Sequence, residues 1–260
     1  KSSHGVELLL SNDPVKAYQI ALDLDKFNKE RQAIEFILIQ KIESEVKKLS
    51  NYPVLVLEGE NWHEGVIGIA AARIKEKYNK PTIIISLKDD LGKGSARSVV
   101  GFDIGTNIIK AVQSGILLKG GGHKMAGGFS IDEGKIEEFK DFITKKFLKI
   151  KKNINTKNIL FFDSIISPSA LNENFFSEVN LLSPFGSGNP EPKFVIENLK
   201  LLKSSVVGEK HIKSLFSAPD GSFINSMTFN AIKTDLESYL LSKNQKKISI
   251  VGKLSLNEWK

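Results

Sequence analysis

Apolar and polar positions follow three different rhythms along the chain. From Phe27, the apolar residues Ile34, Leu38, Ile42, Val46 and Leu49 recur at three-to-four- and seven-residue steps as far as Asn51-Tyr52-Pro53, which predicts a long helix with a narrow apolar stripe. Asp13-Pro14, further upstream, is a helix-start signal: an N-cap residue followed by proline at the first helical position. Such a helix reads as a connector against which something else packs. No catalytic constellation precedes Pro53.

After Pro53, short β-rich runs alternate with helical ones. Strands are predicted over 54–57, 82–86 (Thr-Ile-Ile-Ile-Ser), 95–100 and 128–131, with helices over 66–78 and from a cap at Thr106 to Gln113. A glycine-rich turn separates that helix from the next strand, and Asp132 is expected to cap a helix ending in a lysine run. This alternation argues for an α/β domain. Beyond about residue 157 the pattern becomes mostly strands, at 161–166, 193–202, 211–217, 223–230 and 248–256, divided by turn signals such as Val207-Gly208 and Pro219-Asp220-Gly221. Helices are expected at 172–182 and 235–241. About five strands with few helices suggest a small all-β barrel, with the oligonucleotide-binding (OB) fold as first candidate. The expected organisation is 1–24, a connecting helix over 25–53, an α/β domain over 54–157 and a barrel over 158–260.

Composition narrows the chemistry. The 260 residues are 41% hydrophobic and 26% charged, enough for buried cores and unlike a disordered chain. With no Cys there is no thiolate zinc site, cysteine nucleophile or redox pair, and no HxxxH, HxH or clustered-Asp pattern offers a metal site. No apolar run reaches the roughly 18 residues of a membrane span, and the first residues lack the apolar core of a signal peptide, so a soluble cytoplasmic protein is expected. The net charge of +7 is uneven: 1–53 is balanced, 54–150 carries +3 and 151–260 carries +4. That excess suits a polyanionic partner. The densest run, Lys145, Lys146, Lys149, Lys151, Lys152 and Lys157, is either a solvated helix end or a nucleic-acid contact.

Four stretches could carry chemistry. In Lys119-Gly120-Gly121-Gly122-His123-Lys124, consecutive glycines between helix and strand can turn backbone N–H groups onto an anion, with His123 and Lys124 as further donors; a tight turn with a structural His is the alternative. In Gly94-Ser95-Ala96-Arg97-Ser98, strand periodicity puts Ser95 and Arg97 on one face, suited to phosphate, although a surface salt bridge would use the same arginine. His63, in Trp62-His63-Glu64-Gly65-Val66-Ile67-Gly68, stands at a helix start, where it can bond a substrate or cap and pack. The rigid Leu182–Pro192 loop is a connector whose Asn189 could touch a ligand. In the barrel, Lys210, His211, Lys213, Phe216, Phe229 and Trp259 mix cations with rings, as single-strand grooves do and as ordinary barrel cores also do.

Taken together and in order, Trp62–Ala71, Ser95–Ser98, Gly120–Gly128 and Pro184–Pro192 resemble the RecJ family, single-strand-specific 5′-to-3′ DNA exonucleases of the DHH phosphoesterase superfamily. The Gly-Gly-Gly-His element is shared by DHHA1 domains, and Phe-Gly-x-Gly-Asn-Pro-Glu-Pro points to RecJ in particular. The resemblance implies the end of a DHH domain, a connecting helix, an α/β DHHA1 domain and an all-β OB-fold barrel. It implies that Ser95 and Arg97, with Ser98 beside them, hold the terminal 5′-phosphate, and that His123 and the Gly120-Gly121-Gly122 turn, with Lys124, face the scissile region as the catalytic side. His63, Asn189 and Lys210 would add substrate contacts.

Family enzymes use two Mn²⁺ or Mg²⁺ ions held by motifs that would lie before residue 1, so none is expected to bind here. The missing initiator Met and the end after a strand-like run point to a fragment that binds single-stranded DNA without cutting it, in repair and recombination. A single-strand-binding protein is a candidate partner, a membrane is not, and a monomer is expected. Two other readings stay open: a short-oligonucleotide or nucleotide phosphodiesterase of the superfamily, which would lack the barrel, and a non-enzymatic nucleic-acid-binding module, which would ignore a 5′-phosphate.

Overall fold

The computed structural model describes residues 3–49, 51–151, 159–242 and 247–256 and divides into two compact units, 1–158 and 159–260. The first begins with helices α1 (Ser3–Leu10) and α2 (Pro14–Lys48). Asp13 caps α2 by accepting from the Val15 and Lys16 amides, and Pro14 sits in the first turn, where its missing N–H is not needed. The helix thus starts at 14 and runs unbroken to 48, instead of occupying 25–53. No glycine or second proline follows Pro14 before Phe27, so the capped helix propagates. Its buried stripe holds Leu38, Ile42 and Val46, while Ile34 stays 40% exposed.

A five-stranded sheet follows: β1 (Leu55–Glu60), β2 (Thr82–Lys88), β3 (Leu91–Arg97), β4 (Lys119–His123) and β5 (Ala126–Asp132), in spatial order β1-β2-β3-β5-β4. β1 and β2 run parallel, joined by α3 (Glu64–Tyr78), and the remaining pairs are antiparallel. One sheet face, including Val56, Ile83, Ile85, Ala96, Phe129 and Ile131, packs under α4 (Ile104–Gln113) and α5 (Ile136–Ile150). On the opposite face Leu55, Leu57 and Ile84 meet α3 and the second half of α2. Val66, Ile67, Ala70, Ala71 and Ile74 recur at helical spacing, which is why α3 forms and which way it faces. Glu35, 2% exposed, pairs with Arg31 one turn earlier in α2 at 2.6 Å and ties α2 to α3 through Arg73 at 2.5 Å. This second apolar cluster contains no residue of β3, β4 or β5.

Several local expectations are corrected. The third strand is 91–97 rather than 95–100, because it pairs over its full length with both β2 and β5. Asp103, not Thr106, caps α4, its carboxylate accepting from the Thr106 amide at 2.9 Å. Asp132 makes no side-chain cap; a short 3₁₀ turn at Glu133–Lys135 precedes α5. The triple glycine is not a turn. It forms β4, an edge strand, and the two-residue turn of the hairpin is Lys124-Met125.

The second unit carries β6 (Ser164–Ile165), α6 (Glu173–Asn180), β7 (Phe194–Val207), β8 (His211–Ser217), β9 (Phe223–Thr228), α7 (Asp235–Leu241) and β10 (Lys247–Gly252). The sheet order is β10-β7-β8-β9, with β6 parallel to β7, and it curls as a half-barrel around Ile196, Leu199, Ile212, Phe216, Ile224 and Leu240. Register shifts at Leu201/Lys203 and Ile248/Ile250 mark bulges, which sharpen the bend of a strand. The strand expected over 161–166 is only two residues long. Phe216 is 1% exposed and belongs to the core, Phe229 is 71% exposed, and Trp259, Lys152 and Lys157 lie outside the described residues.

Candidate functional site

Directly paired residues of neighbouring strands point to the same side of a sheet. On the side where the apolar cluster under α2 and α3 takes in β1 and β2 alone, β3, β5 and β4 therefore present Ser95 beside Gly128 beside Gly121, and Arg97 beside Ala126 beside His123. The floor is bare. A Cβ on Gly121 would meet nothing within 4 Å, and one on Gly128 only the Gly94 carbonyl at 3.7 Å. Gly120 and Gly122 do different work: a Cβ on Gly120 would come within 2.8 Å of Ile108, and one on Gly122 within 2.3 Å of the Ala126 carbonyl. Of the three consecutive glycines, only the middle one faces the open side.

Helix α3 walls the floor on one flank. Gly68 approaches so closely that a Cβ there would lie 3.1 Å from both Ser95 Oγ and Arg97 Nη2. Arg97 Nη1 donates to Ser95 Oγ at 3.2 Å and to the Ala96 carbonyl at 2.9 Å, which fixes the guanidinium above the strand. Because Ser95 Oγ accepts from Arg97, its own hydrogen remains free to donate to a ligand. Among the described residues no carboxylate pairs with Arg97, so its charge is not neutralised internally.

Both histidines are tied by the same nitrogen. His63 Nδ1 accepts from the Gly65 amide at 3.1 Å and caps α3; His123 Nδ1 accepts from the Met125 amide at 3.3 Å in the hairpin turn. In the neutral imidazole the proton then sits on Nε2, and both rings are exposed. The hairpin turn is braced from behind, where the Met125 carbonyl accepts from Ser98 N and the Lys124 carbonyl from Ile104 N. A Cβ on Gly105 would lie 2.8 Å from the Gly122 and His123 backbone, so α4 rests directly on the hairpin. Beside it, the Thr106 amide holds the Asp103 carboxyl below the ordinary carboxylate range, with the Lys124 charge adding to the effect.

The structure therefore brings together Ser95, Arg97, Gly121 and His123, with His63 at the start of the helix that walls them. Ser98 is not part of this surface: it is 0% exposed and its hydroxyl donates to the Phe102 carbonyl at 2.6 Å, closing the turn after β3. Asn189 spends both amide hydrogens on its own loop, donating to the Leu182 and Pro184 carbonyls. Lys210 lies in the exposed β7–β8 turn of the second unit. Gly128 forms part of the site without having stood among its expected residues, whereas Gly68, whose missing side chain permits a close backbone approach, lets α3 come down on Ser95 and Arg97. The signal for Gly128 was its cross-strand pairing with Ser95, legible only once the neighbouring strand is known. Among the described residues no three His, Cys, Asp or Glu side chains could hold a metal ion together, so no metal step is assigned to them.

A family model described as the DHHA1 domain matches residues 51–149, and one described as the RecJ OB domain matches residues 162–260. The single-stranded-DNA-specific exonuclease RecJ of Bacillus subtilis is 30% identical over 263 residues, which cover 98% of this chain and 32% of that protein. The chain belongs to the RecJ family. The RecJ of Haemophilus influenzae is 31% identical over 274 residues, covering 99% of this chain and 46% of that protein. The crystal structure of RecJ in complex with Mn²⁺ from Thermus thermophilus has a TM-score of 0.74 at 25% identity, covering 99% of this chain and 36% of that one; the same protein was also crystallised with Mg²⁺. The chain thus spans between about a third and under a half of the RecJ proteins it matches. Its α/β unit carries the DHHA1 domain and its half-barrel the OB domain of RecJ.

Proposed function

We propose that this chain is the strand-holding part of a RecJ-type exonuclease that removes nucleotides 5′ to 3′ from single-stranded DNA in repair and recombination. The observation that carries this reading is the open glycine floor with Arg97 and Ser95 on it, uncompensated by any carboxylate among the described residues. Arg97 would pair a terminal 5′-phosphate and Ser95 would donate to it, a charge-assisted arrangement stronger than neutral hydrogen bonds. Gly121 and Gly128 leave room for the terminal sugar and base, and His123 Nε2 faces the next linkage from the hairpin edge. The half-barrel would guide the rest of the strand by charge and stacking rather than by sequence readout.

Hydrolysis in the intact enzyme would use two divalent cations, which activate water and stabilise charge on the scissile phosphate. Residues outside this chain would hold them, so the chain by itself binds and does not cut. A cytoplasmic setting and a monomer fit this reading, and a single-strand-binding protein is a candidate partner.

Titration with otherwise identical oligothymidylates bearing a 5′-phosphate or a 5′-hydroxyl tests the proposal. The phosphorylated strand is expected to bind tighter, and Arg97→Ala to weaken it by about ten- to a hundredfold, the range for a lost hydrogen bond to a charged group. Equal binding of the two strands would favour a plain nucleic-acid-binding module. Robust cleavage with Mn²⁺ would show that the chain carries its own catalytic centre.

A further inference from the structure

The open sheet face does not end at Ser95. One step along β3, β5 and β4 the register sets Lys93 beside Ser130 beside Lys119. This row lies two residues from the Ser95–Gly128–Gly121 row and hence on the same side, about 7 Å away at the rise of a β-strand. The patch is then three strands wide and three rows deep, with Arg97, His123, Lys93 and Lys119 at its corners and the bare glycines across its middle. Asp132, next on β5 on this face, bounds it. Lys93 is half-buried, Lys119 exposed, and Ser130 between them buried at 4%. Among the described residues neither lysine has an acidic partner.

The flank of this row differs from that of the Arg97 row. In β1 and β2 the row continues as Gly59 and Ser86. Trp62 lies over Gly59, where a Cβ would be 2.3 Å from its ring, and Ser86 Oγ donates to the Trp62 carbonyl at 2.5 Å. A fixed, half-buried indole thus stands at the same end of the sheet as the two lysines.

We propose that Lys93 and Lys119 form a second anion position on this face, taking a further phosphate of the strand whose end sits at Arg97 and Ser95. The inference rests on the proposed function but adds a contact that it does not require. Two unpaired ammonium groups facing one lane have an electrostatic cost that a phosphate relieves, and the spacing to the first position is comparable to that between neighbouring phosphates along a sugar–phosphate chain. The lysines act as point charges, so they hold backbone without reading bases.

The test uses the whole chain with both lysines replaced, Lys93→Gln with Lys119→Gln, alongside the charge-keeping pair Lys93→Arg with Lys119→Arg. The probes are thymidine 5′-monophosphate, which has one phosphate, and a 5′-phosphorylated oligothymidylate. The glutamine pair is expected to bind the monophosphate as the unaltered chain does, to bind the oligonucleotide about tenfold more weakly, and to lower the dependence of log affinity on log salt by about 1 to 2. The arginine pair should restore both, which separates charge from folding. Unchanged oligonucleotide affinity and salt slope would overturn the proposal, and so would an equal loss for both probes, which would place the lysines in the terminal position. If unaltered protein ignores the 5′-phosphate, the terminal-phosphate reading fails on its own. The salt slope of a 5′-hydroxyl strand then still decides the lysine row.

Discussion

A valine in place of Gly128 would raise a branched side chain between Ser95 and Gly121, in space that is now open. Valine suits a strand better than glycine, so Gly128→Val is expected to leave thermal stability unchanged or higher. Binding of a 5′-phosphorylated strand should fall at least about tenfold, as a rough expectation for a blocked charge-assisted contact, read by titration beside a melting curve. Gly94 is the converse. A Cβ there would come within 2.1 Å of the Phe129 ring on the covered face, so Gly94→Ala should cost about 1–3 kcal/mol in urea unfolding through overpacking. The two glycines lie on adjacent strands of one sheet, yet one is bare for a ligand and the other for an aromatic ring.

Between elements, the Asp103 cap connects α4 to the hairpin that carries His123. Asp103→Ala is expected to cost about 1 kcal/mol, the usual worth of an N-cap. Because the folded carboxyl is held below its ordinary range, its contribution is complete above the pKa of the unfolded chain and vanishes as pH falls through the lowered folded value. The stability gap between Asp103→Ala and the unaltered chain should therefore be full at neutral pH and close in strong acid, followed by urea midpoints across pH. Glu35 plays a comparable part between α2 and α3. Arg31 and Arg73 are 36% and 62% exposed and would remain hydrated without it, so Glu35→Ala should cost only about 1–2 kcal/mol and leave phosphate preference intact.

Across the molecule, positive charge is carried by the segments that hold the α/β and half-barrel units, while the first 53 residues are balanced. Binding of an oligothymidylate is expected to weaken about tenfold or more between roughly 50 and 200 mM salt, as for any site that releases several counterions. Affinity indifferent to salt would point instead to apolar contact dominating.

Periodicity and turn chemistry alone determined the long helix, the α/β character after Pro53, the β-rich character after about residue 157 and the pairing of Ser95 with Arg97 on one strand face, because these depend on neighbours a few residues apart. The Gly-Gly-Gly-His run also declared itself as special in sequence, but as a turn, since glycine favours turns and is depleted in strands. Its strand identity was decided by tertiary packing: Ile108 and Phe129 need the room that Gly120 leaves, and α4 needs Gly105 against the hairpin. In the same way Ser98 looked equivalent to Ser95 until the chain bent after β3 and buried it, and Asn189 looked available until its loop consumed both its hydrogens. Which side of the sheet stays uncovered is not encoded in any single segment. It follows from the apolar cover of α2 and α3 ending at β1 and β2, with Gly68 of α3 meeting β3, a matter of how far two helices extend across five strands.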